Sequence, residues 1–309
     1  MTSELKERKI LITGATGFIG KWLTLYLHNK SFQLIAHGSS EESIRRLKSF
    51  LRGQNIDENN LEYWQENFLK DDWKFPNFSD IDAVIHCAAI TKVREGTLEN
   101  YDKYFQLNVV ATKIIGKKAL KEKIKHFIHL STGQVFGKVD KFPITEQTPK
   151  NPINLYGITK LMGEQVIASL GMMGLNYTII RPFSVYGKMH QNIIAIITNK
   201  IKNNEELTIY GDGNQKRAFL HVDDICNAIF LILFNEKCFE KDYNLSGEKE
   251  YSVNELVNLL SKKFEKEPKI VYKKAPVNEL NRNIADLTKI KLLGFRPQKT
   301  LEDFIFNEL

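Results

Sequence analysis

The sequence predicts an α/β protein: a doubly wound parallel sheet followed by a smaller α+β substrate-binding lobe toward the C-terminus. Three observations carry that prediction. The first is Lys9–Gly20, KILITGATGFIG, an apolar run that becomes a glycine-rich bend and then the helix-spaced apolar residues Trp22, Leu23, Leu25 and Leu27. The second is the alternation of strand-like and amphipathic stretches as far as Arg181. It implies strands of one direction with helices on both faces. The third is a change beyond Pro182, where the alternation weakens and Gly, Asn and charged residues intervene.

The bulk numbers bound the class. With 309 residues, 42% hydrophobic and 26% charged, the chain has the balance of an ordinary globular protein. No apolar stretch is long enough to cross a membrane. Met1–Arg8 is polar and charged, without the apolar core of a secretion signal. The expectation is a cytoplasmic protein with no membrane partner. The net charge is +7, but clusters such as Lys117-Lys118 read as solvated helix faces, so no nucleic-acid partner is expected. Cys87, Cys226 and Cys238 form no CxxC pair, and no metal site is expected.

In the first strand–turn–helix unit, Gly14 permits a sharp turn, Gly17 leaves room for a pyrophosphate, and Gly20 lets helix and strand pack closely. The N–H groups at the helix start then face an anion. This is a Rossmann-type dinucleotide site, with Gly14, Thr16, Gly17, Phe18, Ile19 and Gly20 as cofactor-binding candidates. Phe32–Ala36 reads as the second strand, ending at His37-Gly38-Ser39-Ser40. Gly38 falls about 20 residues beyond the glycine turn, where an acid would bind the adenosine ribose 2′-hydroxyl of NAD. No acid is there. Ser39, Ser40 and Arg45 suit a 2′-phosphate, so NADP(H) is favoured over NAD(H).

Leu51–Asn60 reads as a loop and Leu61–Trp64 as a short strand leading to Asn67 and Phe68. Ile81–Ala89 is a buried strand running into small residues, which leave space beside a flat cofactor. Tyr101–Ile124 is an amphipathic helix containing Asn108, and strand Phe127–Leu130 delivers Ser131 and Thr132 at its carboxyl end, where such sheets bind ligands. Pro143–Asn154 is a loop, Tyr156–Leu170 a helix and Tyr177–Arg181 a strand. Residues 1–181 therefore form the dinucleotide domain, rejoined by about 216–240 through a loop and buried helix at His221–Phe234. Residues 182–309 form the lobe.

Tyr156 and Lys160 lie four apart and share one helix face. A phenol with a pKa near 10 is a poor acid or base at neutral pH. An adjacent ammonium lowers that pKa. The same lysine is placed to hold the nicotinamide ribose, and the hydroxyl of Thr132 to orient a substrate alcohol or carbonyl. Together they make a proton-transfer unit for use beside a hydride carrier.

Seven motifs extend these pieces: TGATGFIG (13–20), HCAA (86–89), LNVVAT (107–112), STGQVFG (131–137), YGITK (156–160), RPFSVYG (181–187) and GDGNQKRAFLHVDD (211–224). With them the chain resembles the extended short-chain dehydrogenase/reductases, the branch of nucleotide-sugar epimerases, dehydratases and reductases, over nearly its whole length. The resemblance implies that Tyr156 is the catalytic acid/base, Lys160 its partner and Thr132 the third member. It places the structural polar residue Asn108 near the lysine, Asn67 and Phe68 at the adenine, and Cys87, Ala88, Ala89 and Pro182 along the cofactor. It implies a nucleotide-diphospho-sugar substrate met by Thr91, Thr132, Ser184, Arg217 and Arg282, two arginines suiting a diphosphate. Tyr186 and Lys188–Asn192 would also border the substrate. It further implies a homodimer through the helices near Tyr101–Leu120 and Tyr156–Leu170.

Departures from the family pattern narrow the reaction. Dehydratases of the family carry Asp-Glu after the strand-end hydroxyl residue; here Gly133-Gln134 follow Thr132. Neither supplies a carboxylate, which argues against dehydration and decarboxylation. Ser184 replaces a usual Asn, and Ala218 a usual Asp. The expectation is NADPH-dependent reduction of the 4-keto group of a nucleotide-diphospho-6-deoxysugar. The alternatives are an NAD-dependent nucleotide-sugar 4-epimerase and, outside enzymes, a dinucleotide-sensing regulatory protein.

Overall fold

Ile10, Leu11 and Ile12 are fully buried, and the strand they form lies inside the main sheet of the computed structural model. The structure describes residues 8–275 and 280–309, the side chain of Arg94 apart. Residues 1–7, on which the expectation of no secretion signal rests, lie outside the described residues.

In chain order the first part of the fold is β1 (Lys9–Thr13), α1 (Phe18–His28), β2 (Gln33–Gly38), α2 (Glu41–Arg52), β3 (Leu61–Gln65) and β4 (Ala83–His86). Then come α3 (Tyr101–Phe105), α4 (Ala111–Lys121), β5 (His126–Leu130), α5 (Leu155–Gly171) and β6 (Tyr177–Pro182). The chain continues with β7 (Ser184–Tyr186), α6 (Ile193–Lys202), β8 (Leu207–Tyr210), β9 (Lys216–His221), α7 (Val222–Ile232) and β10 (Lys241–Leu245). It goes on through β11 (Glu250–Ser252), α8 (Val253–Phe264), β12 (Ile270–Lys273) and β13 (Arg282–Asn283).

The main sheet has seven parallel strands in the order β10-β6-β5-β4-β1-β2-β3. Successive residues of a strand point to opposite faces. Ile10 and Ile12 therefore pack with Leu23 and Leu27 of α1 and Ile225 and Ile229 of α7. Leu11 packs on the other side with Ile115 of α4 and Ile167 and Leu170 of α5. Covering both faces leaves the strand ends as the place where polar chemistry is exposed.

Four differences from the sequence reading have local causes. The strand expected over Ile81–Ala89 is only β4, because Cys87 and Ala88 leave the sheet to run against Gly14. The helix expected over Tyr101–Ile124 ends at Lys121 and contains a π-helical turn at Gln106–Val110, joining α3 to α4. That wider turn sets Asn108 fully inside the protein. Helix α2 runs on to Arg52, into the loop expected from Leu51. Strand β10, whose KDYNL sequence carries little apolar alternation, pairs with β6 through its backbone and returns the chain to the main sheet.

The lobe is organised on β9. Strand β11 pairs antiparallel along one edge, and β13 and β7 pair in parallel with β9. Strands β8 and β12 form a separate parallel pair. Ile194, Ile197, Ile201, Leu256 and Leu260 give the lobe its own core. No described helix is long and apolar enough to cross a membrane. No metal-binding cluster occurs among the described residues.

Candidate active site

The cradle at the start of α1 is made of backbone. Gly17 is the N-cap residue and offers no side chain to the helix, so no side-chain acceptor caps the first turn. Such a terminus attracts an anion. Gly14 has φ +67°, and a Cβ there would come within 2.7 Å of the Ala88 backbone. A Cβ on Gly20 would collide with the Gly14 carbonyl. The bare backbone can thus approach a ligand at Gly17, and these residues fit a dinucleotide pyrophosphate.

Beyond the cradle lies a cavity of about 360 Å³. It brings together Gly14, Gly17, Phe18, Ile19, Gly20, Cys87, Ala89, Thr91, Thr132, Tyr156, Lys160 and Pro182. His190, from the Lys188–Asn192 stretch expected at the substrate, lines it as well, and so does Gln134, which the sequence reading did not assign as a site residue. The Thr132 hydroxyl accepts from the Gln134 N–H at 3.2 Å and is hydrogen-bonded to the Tyr156 phenol. Gln134 also fixes the start of α5. Its Oε1 accepts from Asn154 Nδ2 at 3.1 Å, and Asn154 caps the helix by accepting from the Gly157 N–H at 2.8 Å. Gly157 has no Cβ to strike the Gln134 carbonyl, which would lie 2.6 Å from it. The contact between the turn at Gly133–Phe136 and α5 therefore sets Tyr156 against Thr132.

Electrostatics in the cavity differ from the simple tyrosine–lysine picture. Burial pushes the Tyr156 phenol up to about 12, against the downward pull of the Thr132 hydrogen bond. Burial lowers the Lys160 ammonium to about 8, with Glu164 and Cys87 opposing the fall. The phenol is a proton donor as it stands. Lys160 Nζ lies 3.4 Å from His129 Nε2. Asn108, expected near the lysine, accepts from the Ile90 N–H at 2.9 Å and donates to the Ile90 carbonyl at 3.1 Å and to the hydroxyl of Thr159, the residue before Lys160, at 2.9 Å.

Several candidates sit elsewhere. The Phe68 ring, expected at the adenine, is buried in the core and stacked on His37 at 4.2 Å, because β3 leads it under the sheet. Asn67 uses its carbonyl oxygen on the Leu69 N–H. Ala88 is buried behind Gly14, its N–H donating to Thr13 Oγ1 at 3.3 Å. At the end of β2, Ser40 caps α2, while Ser39 is exposed. Arg45 points into solvent with a 72% exposed side chain and lies 4.0 Å from Glu41. Of Ser40 and Arg45, only Ser40 is taken up by its own helix. A Cβ at Gly38 would lie 2.7 Å from Thr16 Cγ2 and 2.8 Å from Ile44. His37 ties this end to the cradle: its Nδ1 accepts from the Gly14 N–H at 3.0 Å, and its Nε2 lies 2.9 Å from the Glu66 carbonyl. Burial keeps His37 neutral, near 4.

A second cavity, of about 590 Å³, opens into the lobe between α6, β8 and β9. It contains Ser184, Tyr210, Gln215 and Arg217, and shares Val93, Val185 and His190 with the first. Arg217 and Phe219 line it from one face of β9. Arg282 is not with them. Its register partner is Lys216, so it falls on the opposite face, where its guanidinium is held by Glu250 at 2.7 Å and lies over Phe142. Adjacent strand residues alternate faces, so the pairing decides this, and sequence spacing does not.

The fold and the two joined cavities define a dinucleotide-dependent oxidoreductase with room for a second nucleotide-sized ligand. Residues 10–246 match the model of the NAD dependent epimerase/dehydratase family. The chain belongs to that family. It is 31% identical to a provisionally named UDP-glucose 4-epimerase of Methanocaldococcus jannaschii, over 96% of this chain and 95% of that one. It is 28% identical to the UDP-glucose 4-epimerase of Bacillus subtilis, over 95% and 94%. Among solved structures it is similar to UDP-glucuronic acid 4-epimerase of Bacillus cereus, solved with a fluorinated UDP-glucuronic acid and NAD (TM-score 0.86, 25% identity, 97% of each chain). It is also similar to UDP-glucose 4-epimerase of Thermotoga maritima with UDP-glucose (TM-score 0.85, 26% identity, 96% of each chain).

Proposed function

We propose that the protein is an NAD-dependent nucleotide-diphospho-sugar 4-epimerase. The observation that carries this reading is the Thr132–Tyr156–Lys160 group set in one cavity, with Gly133 and Gln134 where an eliminating enzyme needs carboxylates. Residues 1–181, with the return at α7 and β10, hold the dinucleotide, and residues 182–309 the sugar nucleotide. When bound, the nicotinamide supplies the hydride acceptor and donor. Tyr156, held neutral by burial, must first give up its own proton to take that of the C4 hydroxyl, which it later returns, and this requires cationic charge beside the phenolate. Lys160 supplies that charge, and Thr132 orients the same oxygen. The sugar ketone must show both faces to one nicotinamide, so the sugar turns while its diphosphate stays anchored by Arg217. The junction at Val93, Val185 and His190 is where it turns.

NAD is preferred in this reading because Arg45 points into solvent, while Glu41 and Glu42 open α2 nearby. The relatives solved with a dinucleotide hold NAD. A second reading, the NADPH-dependent 4-ketoreductase, is favoured by one observation: position 38 carries no carboxylate to meet a ribose hydroxyl. A homodimer through α3, α4 and α5 belongs to the same proposal, supported by the exposed apolar residues Leu98, Tyr101 and Ile158.

The test supplies UDP-glucose, UDP-galactose, UDP-glucuronic acid and dTDP-glucose with NAD and follows the C4 epimers by proton NMR. Parallel reactions offer NADPH or NADH with freshly made 4-keto-6-deoxy sugar nucleotides. Epimer formation without net cofactor turnover supports the first reading. Stoichiometric NADPH loss with a keto sugar replaces it with the second.

A further inference from the structure

We propose that His129 is the positioning residue of the site, its Nε2 accepting a hydrogen bond from Lys160 and aiming that ammonium at the nicotinamide ribose. The proposal rests on the dinucleotide reading of the site. Lys160 is 1% exposed, and His129 Nε2, at 3.4 Å, is the one hydrogen-bond partner of its ammonium among the described residues. An ammonium has donors only, so the imidazole must present a lone pair at Nε2 and carry its proton on Nδ1. The surroundings enforce the neutral ring. His129 is fully buried on β5 and faces Lys160 from α5, Arg181 from β6 and His86 from β4, and burial together with these groups pushes it well below the usual histidine range.

Packing holds the ring in place, since His129 Nδ1 is buried without a hydrogen-bond partner among the described residues. Thr112 Oγ1 donates to the Asn108 carbonyl, so it accepts from His86 Nε2 at 3.0 Å. His86 Nδ1 then accepts from Thr13 Oγ1 at 2.7 Å. This fixed ring stacks on His129 with centroids 5.6 Å apart. On the helix side, Gly163 makes room: a Cβ there would lie 3.4 Å from His129 Nε2 and 2.8 Å from the Asn108 carbonyl. Asn108 itself is committed to Ile90 and Thr159, which leaves the lysine to the histidine.

The test compares the full-length wild type with His129→Phe, His129→Leu and His129→Gln. Binding of NAD and NADP is followed by tryptophan quenching between about pH 6.5 and 9.5, with circular dichroism to confirm folding. Removing the acceptor destabilises the ammonium, so Phe and Leu move the alkaline loss of binding down by about one pH unit, a tenfold change in the lysine's proton affinity. His129→Gln places an amide oxygen near Nε2 and restores the wild-type midpoint. An unshifted midpoint in folded Phe or Leu variants overturns the role of His129. A wild type that binds neither dinucleotide at any pH overturns the reading of the site instead. Imidazole ¹⁵N NMR of the wild type tests the proposal without any variant: a proton on Nδ1 supports it, and the opposite tautomer refutes it.

Discussion

The side-chain amide of Asn108 donates to the Thr159 hydroxyl at 2.9 Å, tying a π-helical turn to the stretch of α5 between Tyr156 and Lys160. The same carboxamide holds the Ile90 backbone by both its N–H and its carbonyl. Asn108→Ala strands those partners in the interior, so it should destabilise the protein by about 2–4 kcal/mol. Urea unfolding measures this; a loss below half a kcal/mol contradicts the clamp.

Tyr156→Phe keeps the ring and removes the proton. Turnover should fall by roughly a hundredfold to ten-thousandfold. Dinucleotide affinity should stay within about twofold, because Lys160 and the glycine cradle are untouched. Steady-state kinetics with a direct binding titration separate the two, and near-normal turnover would remove Tyr156 from its assigned role.

Gly38 is packed against Thr16 and Ile44. Gly38→Ala should cost roughly 1–3 kcal/mol by overpacking. In a Thr16→Ser background, which deletes the methyl 2.7 Å from the new Cβ, part of that loss should return. Additive losses in the double variant would mean that the contact does not govern the site.

Arg217 and Arg282 should separate cleanly. With UDP as the probe, Arg217→Ala should weaken binding by about tenfold or more, as expected for charge-assisted hydrogen bonds to phosphate. Arg282→Ala removes a half-exposed pair with Glu250 and should leave UDP affinity within about twofold and stability within about 1 kcal/mol. Equal effects on UDP binding, read by calorimetry, would refute the opposite-face placement.

Lys160 gives stability a pH signature. Its folded value is lowered to about 8 from 10.5 by burial, so between those values the unfolded chain binds more protons than the folded one. Stability from this group is therefore lowest below pH 8 and rises with pH toward 10.5. The unfolding free energy of wild type relative to Lys160→Met should move in favour of wild type from about pH 7 to 10. A flat or falling difference would show that the ammonium is not buried.

The first βα unit, the parallel alternation and the pairing of Tyr156 with Lys160 were legible in the sequence, because each is a local pattern. Glycine spacing fixes a turn, strand and helix periods fix which faces are buried, and four residues fix one helix face. Spacing from the glycine turn exposed the missing acid at Gly38, and the resemblance to the family exposed those at Gly133 and Gln134. The rest emerged in the assembled fold, since it depends on which distant segments meet. The register of β9 and β13 put Arg282 across the sheet from Arg217. The backbone of β10, with little apolar pattern to announce it, joined the main sheet by pairing with β6. His129 and His86 read as ordinary strand residues until β4, β5 and α5 close around Lys160. There burial sets the charge state of each group, and burial is a property of the assembled fold that no short stretch of sequence contains.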